Sequence, residues 1–517
     1  MTDFADVLAW LGSPGTLGGR TPERIDTHAA VVFLTEDAAW KLKRPVRFAY
    51  LDFSTLERRR QMLRRELEIN RTFAPDLYVG LQAITRDAAG NFVLGGDGTV
   101  VEWVLRMRRF PAQALLSSRV SDGRFGVTEA ARLGACVAQM HRQLAPVEVP
   151  DGAARMADVW QSLLAGLETT RAAALPAGSA TATESALRLA IAQLAECLPR
   201  WQASHATLLQ ARARAGWVRR CHGDLHLGNL VWLDDHPVAF DALEFDETLS
   251  TIDVWYDIAF VLMDLLQHGK VVEAGVVRDR YLLAMATDDA WRGLALLPGF
   301  MAVRAAVRAL VALQKSQPND ETGPCQGARD QALRYLNLAL TLLAPVSPRL
   351  LAVGGLSGSG KSTVAAALAP HLVPLPGAVH LRTDLIRKQR WGCAETGRLP
   401  EAAYTAAVSR DVYEQMWHEA GLVLQAGSSV VLDAVHLQPW ERERTAAVAH
   451  AHGVAFQGVW LEAPLATLQA RVAARRDDAS DATEAVVQRQ AACDPGAIAW
   501  PRTTSAAVLA APAAFIR

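Results

Sequence analysis

Alternating apolar and polar positions mark the first regular elements of the chain. Ala29 to Leu34 and Ala39 to Lys43 read as two β-strands joined by the polar turn Thr35-Glu36-Asp37, as in a hairpin. In the second strand, period-two alternation puts Lys41 and Lys43 on one face. The period then lengthens, and Leu56 to Phe73 predicts a helix carrying Glu66 and Glu68. Thr99 to Arg109 returns to an apolar strand that runs into a basic turn. From Thr128 to Leu144, Ala131, Leu133, Val137 and Met140 recur at helical spacing. Residues from about 150 to 216 are Ala-rich and helical, interrupted at Pro176-Ala177-Gly178-Ser179, and read as an insertion that shapes a substrate site. An early glycine-rich stretch, Gly12 to Gly19, has neither a strand before it nor a helix after it and reads as a turn.

Further along, the apolar strand Pro237 to Phe240 delivers Asp241. Helical patterns follow at Ile258 to His268, Asp279 to Ala286, Gly299 to Lys315 and Asp330 to Leu343, with a loop at Gln317 to Pro324. Pro345-Val346-Ser347-Pro348 reads as a linker. Beyond it come the strands Arg349 to Val353, Ala378 to Leu381, Ser429 to Asp433 and Val459 to Leu461. No internal repeat relates the two parts, so they are different modules, about 1–345 and about 346–517.

Composition narrows the function classes. A chain of 517 residues, half of them hydrophobic, buries large cores and exceeds one ordinary domain; length suggests about three units, and two large ones also fit. A net charge of −1 gives no electrostatic case for nucleic acid or an anionic membrane. The six cysteines are scattered without CxxC spacing, which points away from a zinc site or a disulfide framework and toward a reducing compartment. The start lacks a basic segment ahead of an apolar run, and no uninterrupted apolar stretch approaches about 18 residues. A soluble, cytoplasmic protein without a membrane partner is expected.

The densest chemistry lies at His222-Gly223-Asp224-Leu225-His226-Leu227-Gly228-Asn229, followed by Asp241 and by Trp255-Tyr256-Asp257-Ile258-Ala259-Phe260. Phosphoryl transfer needs a carboxylate beside the acceptor hydroxyl, an amide oxygen for the metal and a second carboxylate for the same metal. Asp224, Asn229 and Asp241 fit those roles, while His226 packs or caps within the loop. This stretch resembles the catalytic loop of aminoglycoside phosphotransferase-like kinases, relatives of the protein kinases. The resemblance implies a bilobal kinase-like fold, with a small lobe over about 1–105 and a large lobe over about 110–345. It also implies a phosphate-binding lysine paired with a glutamate: Lys41 with Glu66, with Lys43 a close second. Val104 to Met107 are candidates for the adenine-side hinge, Met107 among them. The turn Arg24 to His28 contains no glycine, so this is no protein-kinase phosphate loop, and Thr27 with nearby amides could serve instead. Glu244, Asp246, Glu247 and Asp253 could form an acidic face for an amine-bearing acceptor.

A second centre begins at Gly354-Gly355-Leu356-Ser357-Gly358-Ser359-Gly360-Lys361-Ser362-Thr363, set between a strand and a helix. The pattern G-x-x-x-x-G-K-[ST] cradles phosphates with main-chain N–H groups, while Lys361 reaches the β and γ phosphates and Ser362 holds Mg²⁺. Gly355, Ser357, Gly358, Ser359, Gly360 and Thr363 complete the candidate nucleotide loop. Asp384 and Arg387 share a face at a helix start, where an acid could take an acceptor proton and an arginine could steady substrate; helix capping is the plainer alternative. Here the chain resembles P-loop kinases of small metabolites and polynucleotide ends, which implies a parallel sheet flanked by helices. Asp433 then looks like the metal-side acid, and Arg471 and Arg475 like lid arginines, with Arg476 beside them. Asp481-Ala482-Thr483-Glu484 has capping-box spacing.

Together KLKRPV, HGDLHLGN and GLSGSGKST resemble bacterial proteins that join an aminoglycoside phosphotransferase to an ATP-binding domain. The implied fold class is α/β in two domains, and the implied cofactors are ATP or GTP with Mg²⁺. In the leading functional reading both halves phosphorylate hydroxyls of small molecules. A second reading makes the P-loop half a nucleotide-dependent switch, and a third has it act on RNA or DNA ends. Near-neutral charge and the lack of an aromatic and basic cluster near Asp384 weigh against the third.

Overall fold

A computed structural model describes residues 2–27, 29–48, 51–174, 182–315, 326–476 and 478–516. His28, the interruption at Pro176 to Ser179 and the loop Gln317 to Pro324 lie outside those residues. Two compact units form: residues 1–125 with 144–147 and 218–257, and residues 126–143 with 148–217 and 258–517.

The first unit is built on a six-stranded sheet of β1 (Glu23–Asp26), β2 (Ala30–Leu34), β3 (Ala38–Lys43), β6 (Tyr78–Arg86), β7 (Phe92–Leu94) and β8 (Thr99–Arg108), ordered β1-β2-β3-β8-β6-β7. A separate short pair joins β4 (Arg47–Phe48) to β5 (Leu51–Asp52). The hairpin expected from alternation is present, with Lys41 opposite Val32 in β2 and Leu105 in β8. The helix Thr2–Leu11, absent from the sequence reading, supplies Val7, Leu8 and Leu11 to a core with Phe33, Trp40, Leu42 and Val104. Thr55 caps the helix Leu56–Phe73, whose Leu63 and Leu67 join Leu77, Tyr78, Leu105 and Val231 in a second cluster. β9 (Val218–Arg220) pairs with β12 (Thr251–Asp253). β10 (Leu230–Leu233) and β11 (His236–Ala239) form a hairpin turned by Asp234 and Asp235, at φ 46° and 64°. Two consecutive left-handed residues match the twist of a two-residue hairpin, and short acidic side chains tolerate that region.

The second unit holds the helices Val127–Gln143, Gly152–Ala174, Ala182–Arg214, Val271–Met285, Leu297–Lys315 and Gln326–Leu343. Gly299 admits the Trp201 ring, since a Cβ there would stand 1.9 Å from it. An 18-residue stretch within Asp288–Lys315 reaches the length and mean hydropathy, 1.7, of a membrane span, but 67% of it is buried within the protein. Packing against Gln326–Leu343 accounts for its apolarity. The same unit contains a parallel sheet of β13 (Arg349–Gly355), β14 (Val379–Arg382), β15 (Val430–Asp433), β16 (Ala455–Leu461) and β17 (Arg502–Thr503), ordered β14-β15-β13-β16-β17. Leu351, Val353, Val364, Leu368, Val431 and Val459 form the core beneath it.

Candidate functional sites

Three distant segments converge in the first unit. Lys41 Nζ lies 2.7 Å from Glu66 Oε1 and 2.7 Å from Asp241 Oδ1. Lys43 Nζ lies 2.7 Å from Glu66 Oε2 and 2.6 Å from Glu244 Oε1. Both lysines therefore meet Glu66, but Lys41 is the one that also reaches the acid at the end of β11. Burial alone would lower the Lys41 ammonium; Asp241, Glu66 and Glu244 outweigh it and hold it well above the ordinary lysine range. Burial likewise pushes Glu66 and Asp241 up, and the two lysines bring both below the usual carboxylate value. Glu244 stays raised, because burial exceeds the pull of Lys43.

Asp241 sits at φ 60°, in the left-handed region that short acidic side chains tolerate. Its N–H donates to Tyr78 Oη at 3.0 Å, and the next N–H, of Ala242, donates to Asn70 Oδ1 at 2.8 Å. Asn229 Nδ2 donates to Asp224 Oδ2 at 2.9 Å and to the Asp224 carbonyl at 3.0 Å. That leaves the Asn229 amide oxygen to offer a cation, and together with the Asp241 carboxylate it makes a hard oxygen donor set suited to Mg²⁺. His226 caps the 3₁₀ turn Leu227–Asn229, its Nδ1 accepting from Gly228 N–H, and its Nε2 stands 3.5 Å from Asp224 Oδ2. The N–H groups of His222 and Gly223 donate to the Asp257 carboxylate at 3.1 and 2.9 Å.

Sequence reasoning gave no role to Asn70, Tyr78 or Asp257. A signal for Asn70 existed: it follows Glu66 by four residues, so two polar groups share one buried helix face. Two expectations are corrected. Val104 to Met107 are no hinge: β8 runs to Arg108, with Leu105 to Met107 paired to β3 and β6 on either side, so their main-chain groups are engaged in the ladder. The Met107 side chain packs on the Leu63 and Tyr78 cluster. Nor do the four acids form an open acidic face. Glu244 is buried on Lys43, Asp253 is buried and accepts from Trp255 N–H, Asp246 caps Thr248, and Glu247 pairs with Arg65.

The second site is local. The loop after β13 turns through Gly355, Gly358 and Gly360 at φ 138°, 87° and 91°. A Cβ at Gly358 would stand 2.5 Å from the Leu468 carbonyl, and one at Gly360 2.9 Å from Ser505 Cβ, so only glycine lets the main chain lie as it does. The helix Lys361–Leu368 follows, placing Ser362 and Thr363 in its first turn. Lys361 Nζ donates to the Leu356 carbonyl at 3.0 Å, and burial lowers its ammonium below the ordinary value. Ser359 Oγ is buried without a hydrogen-bond partner among the described residues, while Ser357 N–H donates to Gln490 Oε1 at 2.9 Å. A glycine cradle with an orphaned hydroxyl and a helix N-terminus suits a nucleotide's phosphates.

Asp433 ends β15 opposite Val353 of β13. Its Oδ2 lies 3.3 Å from His380 Nε2 and 3.4 Å from Arg382 Nε. Burial pushes its carboxyl up, but the His380 contact and the charges of Arg382 and Lys361 hold it far below the usual range. His380 and Arg382 escaped the sequence reading, although alternation along β14 puts both on one face. Asp384 is half-buried and makes no hydrogen bond to another described residue; burial raises its carboxyl against the pull of Arg382. Arg387, expected beside a substrate, instead donates to the Ala403 carbonyl and to Ser409 Oγ and lies over the Tyr404 ring at 4.9 Å. Arg471 reaches the Gly358 carbonyl at 3.3 Å, and Arg475 lies 3.7 Å from Asp478, which also meets Arg382. A helix, Glu484–Ala492, does begin after Asp481, but Thr483 is its N-cap residue, and the Asp481 carboxylate binds Lys388, Tyr404 and Leu399 N–H instead.

The Phosphotransferase enzyme family model matches residues 92–297, and an AAA domain model matches residues 350–494. The uncharacterized protein Rv2004c of Mycobacterium tuberculosis is 30% identical over 487 residues, 91% of this chain and 90% of its own length. Among solved structures, a choline/ethanolamine kinase family protein from Mesorhizobium loti matches at 13% identity and TM-score 0.36, over 65% of this chain and 99% of its own. A gluconokinase from Sinorhizobium meliloti matches at 20% identity and TM-score 0.23, over 32% of this chain and 90% of its own. Phosphotransferases of these two kinds use ATP with Mg²⁺. The chain belongs to the family of the mycobacterial protein, and it is a two-domain phosphotransferase that joins an aminoglycoside phosphotransferase-like kinase domain to a P-loop kinase-like domain.

Proposed function

We propose that the protein is bifunctional, each half moving the γ-phosphoryl of ATP or GTP to a hydroxyl of a small endogenous molecule in the cytoplasm, with no nucleic-acid or membrane partner. The observation that carries the reading is the cluster in which Lys41 binds Glu66 and Asp241 while Asn229 holds Asp224. Asp224 takes the acceptor's proton as the hydroxyl oxygen attacks the γ-phosphorus. The bond to the bridging oxygen breaks, and the nucleoside diphosphate leaves. Lys41, oriented by Glu66, binds the phosphates, and Asn229 with Asp241 would hold Mg²⁺, which when bound neutralises phosphate charge.

In the P-loop half, Asp384 plays the part of Asp224. Its raised carboxyl is a better proton acceptor near neutral pH than an ordinary one. Lys361 and the amides of the glycine loop bind phosphates, and Ser362 with Asp433 would hold the ion. Arg471 and Arg475 stand by the loop as the lid. Arg387 acts by fixing Tyr404 rather than by touching an acceptor. Because Glu244 and Asp253 are buried with partners of their own and Glu247, though exposed, is paired with Arg65, an aminoglycoside is not the proposed acceptor.

The test incubates the full chain with ATP, Mg²⁺ and a metabolite extract and seeks mass gains of one phosphoryl group. Asp224→Asn should abolish one set of gains. Asp384→Asn should cut another by about a hundredfold or more while leaving ATP affinity nearly intact, the scale of a general base. Gains that survive both substitutions would sink the proposal; gains lost with Asp224→Asn alone would make the P-loop half a switch.

A further inference from the structure

β14 is an edge strand of the parallel sheet, so one side of its main chain has no strand partner among the described residues. Within the same compact unit the helix Val271–Met285 covers that side. Arg278, 1% exposed, donates to the Gly377 carbonyl at 2.5 Å and to the Ala378 carbonyl at 2.7 Å. Its guanidinium is held in turn by Asp279 Oδ1, 2.8 Å from Nε and 2.7 Å from Nη2. The other oxygen, Asp279 Oδ2, accepts the His380 N–H at 3.0 Å. One carboxylate thus bridges a buried arginine and the strand edge, and the three contacts satisfy main-chain groups that an edge otherwise leaves open.

Neighbouring contacts extend the grip. Arg280 pairs with Glu395 at 2.7 Å, Gln389 donates to the Leu283 carbonyl at 2.7 Å, and a Cβ on Gly275 would already stand 3.3 Å from the Pro376 carbonyl. The strand so gripped carries the acceptor-side chemistry. His380 and Arg382 both lie against Asp433, and Asp384 follows two residues later. A slip of β14 along its edge would move all three relative to the phosphate loop, which is anchored separately on β13.

We propose that Asp279, with Arg278, is a positioning residue for phosphoryl transfer at the P-loop site, so that a helix of the first phosphotransferase domain completes the second active site. The inference rests on the reading of the P-loop half as a kinase. It makes the second activity a property of the joined chain: the clamp residues come from the first domain, and the groups they align belong to the second.

The experiment uses the full chain carrying Asp224→Asn, which silences the first site, with ATP and Mg²⁺ and with water as the acceptor. The signal is phosphate release that disappears in Lys361→Ala. Asp279→Ala should lower kcat for that release about tenfold or more, with KM for ATP changed less than about twofold, because the phosphate loop is untouched. Asp279→Asn keeps an oxygen for the His380 N–H and should recover at least half of the lost rate, with the melting temperature of each variant as the folding control. Hydrogen exchange of the His380 amide should quicken in Asp279→Ala and much less in Asp279→Asn. Lys361-dependent release that is unchanged in Asp279→Ala would overturn this inference alone. So would kcat and KM worsening together by the same factor in both variants. Absence of Lys361-dependent release in the parent chain, together with absence of Lys361-dependent mass gains from the metabolite extract, would overturn the kinase reading and this inference with it.

Discussion

Lys41 and Lys361 are assigned the same task, holding nucleotide phosphates, and the protein prepares them in opposite ways. Lys41 is locked between two carboxylates at 2.7 Å, and its ammonium is held well above the ordinary range. Lys361 has one carbonyl as hydrogen-bond partner, and burial pulls its ammonium down against the charges of Asp433 and Asp384. In the first site charge balance is built into the protein before any nucleotide arrives; in the second the loop presents an excess of donors that a polyphosphate would satisfy. The first arrangement ties catalysis to the stability of its unit, and the second separates the two.

The strongest test of that contrast removes each ammonium in turn. Lys41→Met leaves Asp241 without its cation and Glu66 with Lys43 alone. Breaking a buried pair from one side costs about 3–5 kcal/mol; because Asp241 is 43% exposed and Glu66 keeps Lys43, the loss should lie at the lower end of that range, and the first unit should melt several degrees lower, as followed by calorimetry of the full chain. Lys361→Met forfeits one neutral acceptor and the attraction of Asp433 and Asp384 but relieves the burial of a charge; these oppose one another, so its stability should move by no more than about 1 kcal/mol. Both substitutions should eliminate nucleotide binding at their own sites in titration calorimetry. Equal losses of stability in the two variants would erase the distinction.

The same contrast explains what could be read in advance. The P-loop site lies within a stretch from Gly355 to Thr363 whose glycines are required by local φ values and close contacts, so spacing alone marked it. Asp224, Asn229 and Asp241 were legible for a similar reason, since one short loop and one hairpin carry them. What local pattern could not supply was closure between segments. Lys41 meets Asp241 across 200 positions, and nothing near either residue says that Lys43 will share Glu66 and take Glu244. The hinge reading failed because a strand's end is set by its partners: β8 continues as far as β3 and β6 can pair with it. Arg387 was misassigned because helical spacing puts it on the Asp384 face, while Tyr404 and the Ala403 carbonyl, far along the chain, claim its guanidinium.

A smaller difference should separate two glycines, one in each site. Gly358 and Gly223 have nearly equal φ, 87° and 85°, so both pay left-handed strain when replaced. Their surroundings differ: a Cβ on Gly358 would stand 2.5 Å from the Leu468 carbonyl, a main-chain atom, whereas on Gly223 it would stand 2.9 Å from Ser250 Cβ. The overlap is deeper at Gly358, so Gly358→Ala should cost about 2–3 kcal/mol and Gly223→Ala about 1–2 kcal/mol, on the scale of strained residues. Urea unfolding of the two variants checks the order, and a larger loss for Gly223→Ala would contradict it.

A last contrast is one of pH, and it sets the carboxylates of the two units against each other. Glu66 is held below its ordinary value by the two lysines, so the stability it contributes is present above about pH 4.5 and is lost as pH falls through its lowered folded value. Glu419, in the second unit, is pushed the other way, up to about 7. Burial is the main cause, with Gln415 and His418 opposing it and Asp288 reinforcing it. A carboxyl raised in the folded state contributes its stability in full below its unfolded value, about 4.5, and loses it as pH climbs to about 7. Between pH 7.5 and 5, therefore, the second unit should gain up to about 3 kcal/mol from this group while the first gains nothing from Glu66. Glu419→Gln fixes the neutral form, so its melting temperature should vary less over that interval than the wild type's and exceed it at pH 7.5. A wild-type transition that falls steadily from pH 7.5 to 5, or a Glu419→Gln profile that runs parallel to it, would show that this buried carboxyl does not govern the unit's response to acid.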